Sequence, residues 1–280
     1  MRHVYVHNPH PKFEIPAHYD HEPPRFVKKL YNYARKRRVT MWPGFYTLTP
    51  TNPRTLEPIQ RQRHFNKHRA NAMQAVAECL AYHLNLATGI CQISVENIAK
   101  HCRLTTTSDA KNFSITRCSR AVVELERYGL LKCEVIFDDL LGINIPKLIE
   151  VTDLFIVMCG LTVDEYSKAQ NQQLGYQKRG LTIEQQEQLT AAEAKRRARE
   201  RHRKVAFETR KKRHEIARSR KQANRLKEKS LTDQRADVLR SIVRRTPKHE
   251  LQAMDYRQLD AIVTKELNYV LKLADDPPIH

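Results

Sequence analysis

The chain runs to 280 residues, enough for one or two domains, and carries 50 Lys+Arg against 31 Asp+Glu, a formal net charge of +19. No apolar run approaches the roughly 18–20 residues of a membrane span, and Met1 to His10 is rich in His where a signal peptide would hold an apolar core, so the cytoplasm is expected, or a nucleus if the host has one. All seven glycines are isolated, which argues against a glycine-rich phosphate loop and so against an ATP-driven motor.

Residues 1–65 show little periodicity and hold most of the thirteen prolines, which predicts an extended N-terminal arm with one short helix, Pro24 to Arg38. Its basic patch, Arg35-Lys36-Arg37-Arg38, either touches phosphates or faces solvent, and Trp42 is read as packing for the arm in preference to base stacking. A globular part over residues 66–180 is predicted to begin near Lys67. There Met73, Val76, Ala77, Leu80 and Leu84 recur at three- and four-residue spacing, the mark of an amphipathic helix ending at Gly89. Ile90 to Ile93 reads as a short strand. Ser94 reads as the N-cap of a helix reaching about Leu104, with Val95, Ile98, Ala99 and Cys102 on its buried face.

A polar turn, Thr105 to Lys111, leads to a helix over about Ser114 to Tyr128 that Gly129 stops. Its apolar set (Ile115, Cys118, Ala121, Val122, Leu125) leaves Thr116, Arg117, Ser119, Arg120, Glu124 and Arg127 facing outward. Leu130 to Phe137 and Ile143 to Thr152 read as the arms of a hairpin turning at Asp138 to Gly142. Asp153 and Thr162 read as caps of helices over Leu154 to Cys159 and Val163 to Lys178. Thr182 is predicted to start a very long helix reaching about Lys229, the 181–230 segment. A small C-terminal helical segment, 231–280, would hold Thr232 to Arg244 and Tyr256 to Leu273, broken at Pro247. The fold class is therefore mainly α with a small β-hairpin.

The charge is concentrated. Between Lys195 and Lys229 stand seventeen Lys/Arg and four acidic residues, about +13 of the total +19. Such density points to a polyanion, to which Arg196, Arg197, Arg203, Lys204, Lys211 and Lys212 would supply phosphate contacts with little sequence information. The apolar residues of this stretch (Val205, Phe207, Ile216, Leu226) are too sparse for a heptad seam. Upstream, the order helix, strand, helix, turn, helix, hairpin is that of a winged helix, in which the last helix lies in a major groove and the one before braces it. Arg117 and Arg120 suit guanine O6/N7 or phosphate, Thr116 and Ser119 bases or backbone, and Asn112 adenine; Lys111, Ser114 and Arg127 complete the candidate DNA-binding set. The wing tip, Asp138-Asp139-Leu140-Leu141-Gly142, is acidic and apolar, so phosphate would repel it. It reads as a tight turn, or as a protein contact for self-association or a partner.

Several ordered stretches coincide with a known pattern: Ile93-Ser-Val-Glu-Asn-Ile-Ala-Lys-His-Cys-Arg-Leu104, Lys111-Asn-Phe-Ser-Ile-Thr-Arg-Cys-Ser-Arg-Ala121, Tyr128-Gly-Leu-Leu131 and Asp138-Asp-Leu-Leu-Gly-Ile-Asn-Ile-Pro146. Over about residues 70–180, and in kind over the basic helix, the chain resembles the RepA replication initiators of IncFII-type plasmids. The match reaches poorly into residues 1–65 and the last fifty. The resemblance implies a plasmid-encoded protein of the bacterial cytoplasm that binds double-stranded origin DNA. It would have no polymerase activity of its own and would deliver the host replicative helicase, with or without the chromosomal initiator.

Two rivals stand beside that reading. A rolling-circle nicking enzyme needs two His bracketing one residue to hold a metal, and a nucleophilic Tyr. The nearest candidate, His3-Val-Tyr-Val-His7, has three residues between its histidines. A transcriptional repressor could use the same winged helix, and autoregulation can coexist with initiation. No enzyme, cofactor or metal is implied. The six cysteines lie 11 to 26 residues apart without a Cys-x-x-Cys pair and read as core thiols, and Asp109, Asp138, Asp139 and Asp153 form no metal cluster.

Overall fold

A computed structural model describes residues 7–17, 19, 22–61, 63–107, 113–134, 137–138, 143–144 and 147–275, with backbone alone at 137–138, 143–144 and 273–275. Lys111, Asn112, Asp109, most of the predicted wing tip (139–142), His3 and Tyr5 lie outside the described residues. The chain is mainly helical with small sheets and divides into two compact units, Met1–Lys204 and Val205–His280. Among the described residues no helix is long and apolar enough to cross a membrane.

The first unit opens with α1 (Arg25–Lys36) and α2 (Gly44–Thr47), followed by α3 (Lys67–Tyr82), β1 (Ile90–Cys91), α4 (Val95–His101), β2 (Thr106–Thr107), β3 (Phe113–Ser114) and α5 (Thr116–Arg127). It continues through β4 (Leu131–Glu134), β5 (Phe137–Asp138), β6 (Ile143–Asn144), β7 (Leu148–Val151), α6 (Asp153–Cys159), α7 (Val163–Lys178) and α8 (Ile183–Gln188). Helix α3 is its axis, with Met73, Val76, Ala77, Cys79 and Leu80 fully buried. Asn66 caps α3 by accepting from the amide of Arg69, and Ser94 caps α4 by accepting from that of Asn97. The helix stops at Tyr82, short of the expected Gly89, and the turn that follows is held by Asn85, whose carbonyl accepts from the amide of Gly89 at 2.8 Å. The sheet has strand order β1-β7-β4, all antiparallel, pairing Ile90 with Glu150 and Cys133 with Ile149.

The expected extended arm is not what residues 7–61 form. Val27, Leu30 and Ala34 of α1 are fully buried, and Phe13, Phe45 and Phe65 join the same core, with Phe45 edge-on to Tyr128 at 4.8 Å. Gln74 locks the junction: its Oε1 accepts from the amide of Val39 at 2.9 Å and its Nε2 donates to the carbonyl of Ala34 at 2.8 Å. Burying three aromatics outweighs the prolines between them, which only shape the path of the chain. Trp42 packs edge-on to Phe45 at 5.6 Å.

The predicted polar turn after α4 instead carries a two-residue ladder, β2 with β3, pairing Thr106 with Ser114 and Thr107 with Phe113. The cap of α6 is Thr152 and not Asp153; the Thr152 hydroxyl donates to the carbonyls of Gly129 (2.7 Å) and Leu130 (3.1 Å), tying α6 to the end of α5. Gly129 itself has φ +69, a conformation that side chains strain, which explains the sharp stop. Thr162 caps α7 as expected, and Glu165 completes a capping box with it. Five cysteines are buried and Cys133 is half-buried, all as free thiols.

The long basic helix, α9, spans Ala191–Lys227. Thr182 does cap a helix, but the short α8; Thr190 then caps α9 anew by accepting from the amide of Glu193 at 3.2 Å. The boundary between the two units falls within α9, at Lys204 and Val205, so the expected separate 181–230 segment is divided. The start of α9 packs through Ala194 and Ala191 on Leu174 of α7 and on Ala87. The second unit adds α10 (Leu231–Arg245), α11 (Lys248–Gln252) and α12 (Tyr256–Asp275). Val238, Ile242, Val263 and Leu267 form its small core, with Leu226 packed against it.

Candidate nucleic-acid interface

Helix α5 buries Cys118, Ala121, Val122 and Leu125 against α3 and α4, and this fixes which residues face out. Thr116, Ser119, Arg120, Val123 and Arg127 line a shallow groove on the outer side, joined by Arg69 from the first turn of α3. Ser114 of β3 holds the entrance, its hydroxyl 2.9 Å from that of Thr116. Arg120 is exposed and has no ion-pair or hydrogen-bond partner among the described residues. A cation at the rim of a groove with two hydroxyls beside it can take a phosphate or the acceptor edge of a base.

The other two arginines of this helix are engaged. Arg117 is half-buried, and its guanidinium donates to the carbonyl oxygens of Asn8 and of His68, the latter at 3.2 Å. Loss of solvent lowers its pKa. It ties residues 7–10 to the start of α3 and is not presented as a base reader. Arg127 pairs with Glu124 at 3.4 Å. Glu124 was expected to face outward; its side chain is only 5% exposed and is met by Arg61 at 2.5 Å and Arg69 at 3.5 Å as well. Three guanidiniums around one buried carboxylate leave a net positive cluster under the groove, with Arg61 also stacked 3.8 Å over the Phe65 ring. Arg61 and Arg69 escaped the sequence reading because both lie far from α5 in the chain, and only the fold brings them to Glu124.

The basic helix is split in the same way. Glu193 binds Arg196 at 2.8 Å and Arg197 at 2.7 Å, and these two bonds hold its carboxyl down at about 2. Arg203 pairs with Glu134 of β4 at 2.8 Å, while Lys195 and Arg199 converge on the buried Glu150 of β7, Arg199 at 3.1 Å. The spacing 195, 199, 203 places these cations on one face of α9, against the sheet. Three predicted phosphate contacts, Arg196, Arg197 and Arg203, are thus already paired within the protein. Lys204, Lys211 and Lys212 are exposed and without partners among the described residues. So are Arg218, Lys221 and Arg225, which the sequence reading did not single out. At 100° per residue, Lys211, Arg218, Lys221 and Arg225 fall within an arc of about 80°.

The family model described as the IncFII RepA protein family matches residues 1–275. The chain is 32% identical over 98% of its length to a "Probable replication-associated protein repA1" of Buchnera aphidicola subsp. Schizaphis graminum, covering 96% of that protein. It is 40% identical over 42% of its length to a "Probable replication-associated protein repA2" of Buchnera aphidicola subsp. Acyrthosiphon pisum, covering 48% of it. A "Replication initiation protein" of Escherichia coli shares 27% identity over 68% of the chain and 65% of its own length. No solved structure matches. The likeness therefore extends well beyond residues 70–180, into the segments that the sequence motifs left uncovered. The chain belongs to the IncFII RepA protein family.

Proposed function

We propose that this protein initiates replication of the plasmid that encodes it, by binding double-stranded origin DNA and delivering the host replicative helicase there, with or without the chromosomal initiator. The order α3, β1, α4, α5, β4, β7 and the sheet order β1-β7-β4 support reading the first unit as a winged helix whose α5 enters the major groove. The single observation that carries the reading is the outer groove of α5, where exposed Arg120 stands unpaired beside Thr116 and Ser119. The free cations of α9 would neutralise flanking phosphates, adding affinity without specificity. Bending or unwinding of adjacent A·T-rich DNA would follow, at a cost that flexible pyrimidine–purine steps keep low. In this reading the protein is a binder and not an enzyme, and works in the bacterial cytoplasm.

The test is footprinting of the purified protein on supercoiled DNA of its own plasmid, wild type against Ser119→Ala/Arg120→Ala. Arg117 is left intact because its loss would loosen the fold. A defined footprint near the coding region that the double variant loses supports the proposal. Uniform coating that the variant does not alter would leave only a basic nucleic-acid binder and sink it.

A further inference from the structure

Cys79, His83 and His101 meet in the first unit, away from the α5 groove. Cys79 and His83 are one turn apart at the C-terminal end of α3, and His101 closes α4. Their ligand atoms (one thiol sulfur and two imidazole nitrogens) all lie within 4.8 Å of one another. The two imidazoles are stacked, with centroids 5.9 Å apart and planes at 28°. Nε2 of His83 is buried and has no hydrogen-bond partner among the described residues. A buried imidazole nitrogen left unsatisfied costs about 1–3 kcal/mol, so its presence asks for an explanation.

We propose that these three side chains bind a single zinc(II) ion. The donor set is one sulfur and two nitrogens. It suits a borderline-soft ion that accepts tetrahedral geometry, and it is a poor set for magnesium or calcium, which take oxygen. Bond lengths of about 2.0–2.3 Å in a tetrahedron put donors about 3.3–3.7 Å apart, so the three atoms need draw in by at most about 1.5 Å. Aromatic rings enclose the site: Tyr19 stands 5.3 Å from the His83 ring and 6.3 Å from that of His101, and Phe13 stands 6.1 Å from His83. A water molecule would complete the coordination.

The ion's role follows from what it joins. It would pin the end of α4, the bracing helix, to the end of α3, and hold the Phe13 and Tyr19 segment against both. Arg69 lies ten residues from Cys79 on α3, roughly 15 Å along the helix, so the metal would not touch DNA bound at the α5 groove. Its effect is on rigidity. Cys79 and His83 form a Cys-x3-His pair on one helix, which a search confined to Cys-x-x-Cys pairs passes over, and the third ligand comes from another helix.

The full-length protein is dialysed against zinc(II), freed of unbound metal, and its zinc content and melting temperature are compared with those of a chelator-treated sample. About one zinc per chain is expected, with a melting temperature raised by roughly 4 °C or more over the chelated protein. His83→Gln and His101→Gln should each lose the zinc and the shift, while melting in chelator where the chelated wild type melts. Cobalt(II) in place of zinc should give a thiolate charge-transfer band that Cys79→Ser abolishes. Wild-type protein that retains no zinc after dialysis overturns the proposal, and so does zinc retained undiminished by both His variants.

Discussion

The free cations of α9 and the paired ones should differ sharply in how they respond to salt. Lys211, Arg218, Lys221 and Arg225 are exposed, share one arc of the helix and have no partners among the described residues. Replacing all four by Gln removes four charges at little cost in helix propensity. Each phosphate left without its cation lowers the slope of log K against log salt by about 0.9, so the variant's slope should be shallower by about 3.6. Over a fourfold rise in salt, wild-type affinity should then fall roughly 150-fold further than that of the variant. The contrasting set, Arg196→Gln/Arg197→Gln/Arg203→Gln, removes as concentrated a block of charge from residues already held by Glu193 and Glu134. Its slope should change by less than about 1. Fluorescence anisotropy with a duplex of unrelated sequence, titrated at four or five salt concentrations, reads both slopes. Equal slope changes in the two sets, or an unchanged slope in the first, refutes the division of the helix into free and engaged charge.

Four further outcomes follow from the same interactions. Arg117→Ala should lower stability by about 1.5–3 kcal/mol, since two carbonyls lose a charged donor, whereas Arg120→Ala should stay within about 0.5 kcal/mol; urea midpoints at constant m separate the two. Glu124→Gln leaves three guanidiniums without their shared anion and should cost towards the lower end of about 3–5 kcal/mol, because the arginines remain partly solvated; thermal unfolding measures it. Glu165, held at about 2 by Lys29 and the Thr162 cap, contributes stability that is present above the unfolded carboxyl pKa and is lost as pH falls from near 4.5 towards 2, so Glu165→Gln should flatten that limb of the stability curve. Glu134→Gln/Glu150→Gln should free Lys195, Arg199 and Arg203 and steepen the salt slope of DNA binding by up to about 2.7, read by the same anisotropy titration.

The helices of the first unit were legible wherever periodicity or a cap marked them. Ser94 and Thr162 each sit where a side chain must take an orphan amide, and the apolar set of α5 correctly named its buried face. The N-terminal segment was not legible. Phe13, Phe45 and Phe65 enter the core singly, from irregular backbone or, for Phe45, from a one-turn helix, so no period announces them. The restart of α9 at Thr190 was hidden for another reason: a capping threonine inside a continuous helical pattern looks like any exposed residue until the chain before it turns away. In the candidate site, outward placement on a helix wheel separated Arg120 from the core but did not separate it from Arg117 and Arg127.

That last distinction rests on the acids and not on the bases. In a chain with 50 cations and 31 anions, a basic residue is the common case and carries little information about its role. A carboxylate in or against the folded body is scarcer, and each one claims arginines and lysines by short-range hydrogen bonding that outcompetes a distant polyanion. Glu124 claims Arg61, Arg69 and Arg127; Glu150 claims Lys195 and Arg199; Glu193 claims Arg196 and Arg197. On these two helices the acids leave over Arg120 of α5 and, on α9, Lys204, Lys212 and the arc from Lys211 to Arg225. These cations stand on regular helices, so the spacing of their Cα atoms is set by backbone geometry before any phosphate is met, and the ordering cost is confined to the side-chain rotamers. The placement of a few glutamates, more than the count of arginines, determines which part of this strongly basic surface is available to bind.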